Sequence, residues 1–254
     1  MTAGTDTARL SLALRLGDDA LILGQRVAEW CGHAPTLEVD LSLANIGLDL
    51  IGQAQHFLAY AGELEGRGRD ADALAFRRDV YDFRNCLLVE QPNGDFARTM
   101  ARQFLFSTWQ HLMLQRLVNS TDPRLAEVAA KAVKEVAYHA RLSADWVIRL
   151  GDGTPESRSR MIDGFDWNWR FVEELFEADG DEAELVATGV AVDRAALRPE
   201  WEAVIASVLA EANLPAPVVK RGVSGGRTGR HSEHLGHLLS QMQFLPRAYP
   251  DAVW

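Results

Sequence analysis

From Phe96 to about Asn119 the sequence is apolar at nearly every angle of a helix, with Phe96, Met100, Phe104, Leu105, Phe106, Trp109, Leu112, Met113 and Leu117 spread around the axis. At about 100° per residue no wide polar face is left. A helix of that kind is stable in water only with neighbours on several sides. The remaining sequence offers them. Leu43, Ile46, Gly47, Leu50, Ala54, Phe57 and Ala61 repeat at i, i+3, i+4 and i+7 within a segment running from about Leu37 to Leu64. No sustained period-2 alternation occurs, so strands are not expected.

Local start and stop signals divide the chain. Residues 8–16 form a short lead-in, Gly17-Asp18-Asp19 offers a helix start, and a helix is expected from Ala20 to Cys31 before Gly32-His33-Ala34-Pro35 breaks it. After the 37–64 helix come Gly66 and Gly68, then a helical piece over 70–90 interrupted near Asn85. Asp122-Pro123 opens a helix over about 124–150, closed by Gly151. On it, Val128, Ala132, Val136, His139, Leu142, Trp146 and Leu150 share a face, with Glu135 at its edge. Further helices are expected over about 156–178, from Pro199 to about Asn213, and over 230–247, with the acidic stretch 179–184 and the glycine-rich connector 214–229 between them.

The helices 20–31 and 37–64 are joined by a few residues, as are 96–119 and 124–150, while about thirty residues separate the two pairs. Short loops give antiparallel neighbours, and one long crossover between pairs gives the ferritin-like version of a four-helix bundle. The expected fold is therefore all-α. One ferritin-like domain spans 1–254, with core helices over about 17–150, wrapping helices over 155–213, a flexible connector and a C-terminal helix.

Composition narrows the function. The formal charge of −10 opposes a nucleic-acid or anionic-membrane surface. No run of 18 apolar residues suggests a membrane span, and residues 1–10 carry no basic cluster followed by an apolar run. Cys31 and Cys86 read as buried free thiols of a cytoplasmic protein. No nucleotide-binding, phosphate-loop or nucleophile-elbow motif is present, and Ser224–Gly229 follows no strand, so it reads as a hinge.

A ferritin-like core raises the question of metal. Di-iron members of that fold take one Glu from each of two helices and Glu-x-x-His from each of the other two. The residues three before the seven histidines are Trp30, Gln53, Thr108, Val136, Thr228, His231 and His234, so Glu-x-x-His does not occur. The nearest approximations are Asp49, Gln53 and His56, within an arc of about 60°, and the pair Glu135/His139. A neutral amide at Gln53 cannot bridge two cations. These five positions read as vestiges of a metal site, held by hydrogen bonds as buried polar groups must be. No catalytic, cofactor-binding or metal residue is expected. His231, His234 and His237 spread over about 120°, and no thiol lies near in sequence to complete a site, which disfavours zinc. His231 is expected to face the core with Leu235 and Leu238.

The strings Leu16–Trp30, Leu43–Gln53, Glu90–Ala97, Lys134–His139, Val147–Thr154 and His231–Gly236 resemble the C-subunit family of the bacterial phenylacetyl-CoA ring 1,2-epoxidases, in order and over about residues 10–246. The resemblance implies a multicomponent NADPH- and O2-dependent monooxygenase of aerobic phenylacetate degradation. In such a complex the catalytic A-subunit carries the di-iron centre, the small B-subunit joins the core, and the reductase, or E-subunit, holds FAD and an iron–sulfur cluster. The implied role of the C-subunit is structural, without a cofactor of its own. Pairing with itself in isolation is compatible with that role. Two other readings compete. An autonomous di-metal oxidoreductase would use Asp49, His56, Glu135 and His139, and a free-standing helical binding protein would be a stable monomer.

Overall fold

The computed structural model describes residues 3–178, 180–218, 221–250 and 252, leaving aside the side chains of residues 3–5 and of Asp181. Asp179 of the acidic stretch and Val219 and Lys220 of the connector lie outside the described residues. The described residues are helical and contain no strand. They form two compact units, one built from residues up to Pro92 and from Gly225 onward, the other from Asn93–Ser224.

The first unit is organised by α1 (Ala3–Ala28) and α2 (Leu37–Glu65). A Cβ at Gly17 would lie 2.8 Å from the Leu58 side chain, one at Gly24 3.2 Å from Ile51, and one at Gly47 3.9 Å from the Ala28 Cβ. Each of these pairs of residue numbers has the same sum, the signature of an antiparallel register. Glycine is needed at Gly17 because a side chain there would push the two helices apart. Thr36 caps α2, its hydroxyl oxygen accepting from the Val39 N–H at 3.4 Å. Gly66 ends α2 at φ 67°, a left-handed conformation that costs glycine nothing. Every residue of the apolar repeat from Leu43 to Ala61 is buried, as its period requires. The short α3 (Ala71–Phe76) and α4 (Leu87–Glu90) follow, and α10 (Glu233–Met242) and α11 (Phe244–Ala248) return to this unit.

The second unit is built around α5 (Phe96–Leu117). Asp95 caps it, accepting from Arg98 N–H at 2.8 Å. Its partner α6 (Pro123–Gly151) starts where Asp122 accepts from the Arg124 and Leu125 N–H groups at 3.0 and 3.1 Å, with Pro123 in the first turn. Phe96 meets Trp146 edge-on at 5.1 Å, which places the start of α5 against the end of α6. α7 (Pro155–Asn168) brings Phe165 edge-on to Phe104 at 6.5 Å. α9 (Arg198–Glu211) brings Trp201, whose indole N–H donates to the Leu105 carbonyl at 3.0 Å. The short α8 (Gly180–Ala187) lies between them in sequence. With neighbours on three sides, α5 is central in its unit, as its all-round apolarity demands. No described helix is long and apolar enough to cross a membrane.

Several sequence expectations are corrected. Gly17-Asp18-Asp19 does not start a helix, because α1 runs through it without a break. Both aspartates are buried, at 0% and 2% exposure, and find partners elsewhere in the unit instead of capping locally. The 70–90 segment is helical only over α3, one 3-10 turn (Val80–Asp82) and α4. The helix expected to Ala178 ends at Asn168 and continues as two 3-10 turns. The helix expected to reach Cys31 ends at Ala28, and Cys31 is exposed while Cys86 is buried. The C-terminal helix is broken at Gln243, whose side-chain amide donates to the carbonyls of Ala75 and Arg78 at 2.9 and 3.0 Å. On α6 the deepest line runs through Ala132, Val136, His139, Ser143 and Val147, whereas Leu142, Trp146 and Leu150 are half-buried.

Candidate functional site

The five positions that the sequence suggests as remnants of a metal site divide between the units. Asp49, Gln53 and His56 lie along α2, with Gln53 buried and the other two less so. Glu135 and His139 lie on α6, Glu135 less covered than His139, which is wholly buried with its ring edge-on to Tyr138 at 6.3 Å. Ser143 one turn later donates to the His139 carbonyl at 2.8 Å. All five have interaction partners. Among the described residues no group of three or more His, Cys, Asp or Glu side chains is gathered closely enough to hold a metal ion. The donor set does not fit a carboxylate-bridged pair of irons. Gln53 supplies an amide where a bridging carboxylate is required, and two of the other four donors are imidazoles.

A different polar cluster dominates the first unit. The Glu90 carboxylate, fully buried at the end of α4, accepts four hydrogen bonds. Oε1 accepts from the Ser232 backbone N–H at 2.7 Å and its hydroxyl at 2.8 Å. Oε2 accepts from the Asn85 amide at 2.9 Å and from His231 Nδ1 at 2.7 Å. The other ring nitrogen, Nε2, lies 3.0 Å from the Phe83 carbonyl oxygen. Both partners of the ring are acceptors, and only the imidazolium, with a proton on each nitrogen, donates to both at once. Burial pushes its pKa down, but the hydrogen bond and charge of Glu90, the Phe83 carbonyl and the charge of Asp18 together raise it above the ordinary 6.5.

Two further buried ion pairs adjoin it. Asp18 pairs with Arg78 and also accepts from the Arg84 N–H at 2.8 Å. Asp19 pairs with Arg227 at 2.7 Å and accepts from the Cys86 N–H at 2.8 Å. Burial holds the Asp19 carboxyl above its usual range, against the downward pull of Arg227 and the Cys86 N–H. Arg26 donates to the Glu90 carbonyl at 3.1 and 2.9 Å and to the His234 carbonyl at 3.1 Å. The connector is not a loose linker here. Arg227 is 8% exposed, and a Cβ at Gly226 would overlap the Asn85 carbonyl oxygen.

The cluster therefore ties three separate stretches together: the middle of α1, the crossover 78–90, and the return 225–232. These overlap or adjoin the resembling strings Leu16–Trp30, Glu90–Ala97 and His231–Gly236. Its chemistry is that of attachment. Ser232 donates its hydroxyl to Glu90 and not to His231. His231 is turned inward, as the sequence predicts, but toward Glu90 and the Phe83 carbonyl. The charged residues gathered around it were not legible as a group. The available signal was a pair of adjacent aspartates inside a helix that has no use for them as caps.

The helices and this polar framework define an all-α protein of the ferritin-like class. The chain belongs to the phenylacetic acid catabolic protein family, whose pattern matches residues 1–254. It is 52% identical to the C-subunit of the 1,2-phenylacetyl-CoA epoxidase of Escherichia coli (strain K12) over 241 residues, covering 95% of this chain and 97% of that protein.

Proposed function

We propose that this chain is the non-catalytic structural subunit of a multicomponent phenylacetyl-CoA ring 1,2-epoxidase in the cytoplasm. It pairs with the catalytic di-iron subunit, and the complex includes a further small subunit and an NADPH-oxidising reductase with FAD and an iron–sulfur cluster. The observation that carries this reading is the likeness to the epoxidase C-subunit along nearly the full length of both chains. The donor set supports the non-catalytic part. Its Gln53 and its lack of Glu-x-x-His suit a bundle that has kept its packing and given up its metal.

The surface supports association. Leu37, Leu41 and Leu48 on α2 are 71%, 57% and 70% exposed. They lie within an arc of about 40° on one helix face. A line of large aliphatic side chains in water is the mark of a face that another protein covers. We expect Leu41→Asp/Leu48→Asp to lose co-elution with the di-iron subunit while keeping the helical circular dichroism of the parent. Undiminished co-elution would remove this face from the interface. Failure of the parent chain itself to co-elute would overturn the pairing.

A further inference from the structure

We propose that the contact between His231 and Glu90 is a proton-operated latch. While the imidazole carries both protons, it holds the segment leading into α10 against the crossover, and loss of one proton frees that segment. The argument is geometric. The ring spans two acceptors, a carboxylate on one side and a backbone carbonyl on the other, at 2.7 and 3.0 Å. A neutral imidazole has one N–H and can serve only one of them. Asn85 still serves one acceptor and Arg84 the other, but the abandoned one then faces an unprotonated ring nitrogen, and two lone pairs held that close destabilise the closed arrangement.

The surrounding charges do not replace the lost proton. From α1, Asp18 is committed to Arg78 and the Arg84 N–H, and Asp19 to Arg227. Arg26 reaches the carbonyl of Glu90 and Arg84 that of Phe83, and neither reaches the Glu90 carboxylate. Among the described residues the partners of the Glu90 carboxylate are Asn85, Ser232 and His231, and of these His231 is the cation. From the N-terminal side of α10, His234 contributes its carbonyl to Arg26. Deprotonation therefore leaves Glu90 a buried anion held by neutral donors.

The direction of the pH effect follows. The folded-state pKa of His231 lies above its open-state value of 6.5. The latch is at full strength below pH 6.5. It weakens as pH rises toward the folded-state value, and above that value it stays weak.

The test is amide hydrogen exchange on the full chain from about pH 6 to about pH 9, corrected for the intrinsic pH dependence of exchange. We expect protection in residues 84–91 and 228–235 to fall by about tenfold per pH unit within the window and then level off. Protection in α5 and α6 should stay constant over the same range. His231→Gln should show weak protection in both segments at every pH. A nitrogen NMR spectrum of the wild-type ring near neutral pH decides the matter independently, should the variant not fold. Two protonated ring nitrogens support the latch. A neutral ring, flat protection in the wild type, or an unchanged slope in His231→Gln would overturn it.

Discussion

Replacing Glu90 with Ala should lower the free energy of unfolding by about 3–5 kcal/mol, the range for removing one member of a buried charged pair. Four donor groups converge on this fully buried carboxylate, one each from Asn85 and His231 and two from Ser232. Alanine removes the acceptor they share. His231 loses the carboxylate that favours its charged form, and the Ser232 N–H loses its acceptor. Glu90→Gln should cost less, because one amide oxygen still accepts, although the amide nitrogen then faces donors. Urea denaturation followed by circular dichroism measures both. A loss below about 1 kcal/mol for the alanine variant would mean that the cluster is solvated and contributes no more than an exposed ion pair.

The pair Asp19–Arg227 should behave differently when broken and when replaced. Arg227→Met leaves Asp19 buried without its cation and should cost about 3–5 kcal/mol. Asp19→Leu should cost a similar amount by stranding Arg227, and it also removes the acceptor of the Cys86 N–H. The double variant removes both charges, so its cost should be clearly less than the sum of the two single costs. It should not return fully to the parent value, because the Cys86 N–H stays unmet. Strict additivity in the double-mutant cycle would show that the two side chains do not interact, in conflict with their 2.7 Å separation.

The parts of this fold that are legible in the sequence are those set by neighbours a few residues away. Asp122-Pro123 marks a helix start, because a cap bonds to an N–H two or three positions on, and Thr36, Asp95 and Thr154 cap their helices by the same local bond. The repeat from Leu43 to Ala61 marks a buried face for the same reason. Asp18 and Asp19 mislead because their chemistry is not local. The Arg78 guanidinium that Asp18 binds lies 60 residues away, and the Glu90 that His231 binds lies 141 residues away. Gly17 looks like a breaker in sequence but serves the close approach of α2. The 70–90 segment is less helical than its residues suggest. Its backbone instead donates to the aspartates of α1 through Arg84 and Cys86.

The candidate metal site is legible in part. That Gln53 is an amide, and that no histidine follows a carboxylate by three residues, can be read without a structure. The depth of His139 follows from helical periodicity. The half-burial of Asp49, His56 and Glu135 does not, since periodicity places a residue on a face without saying how far that face is covered.

The central claim, that this chain is the metal-free partner of a di-iron subunit, is tested most directly by elemental analysis of the chain purified alone and together with that partner. The account predicts no bound iron in the chain alone and about two irons per pair, the complement of one carboxylate-bridged centre. About two irons bound to the chain alone, enough for a complete di-iron centre, would contradict it, and would make Asp49, His56, Glu135 and His139 ligands of a working site instead of remnants.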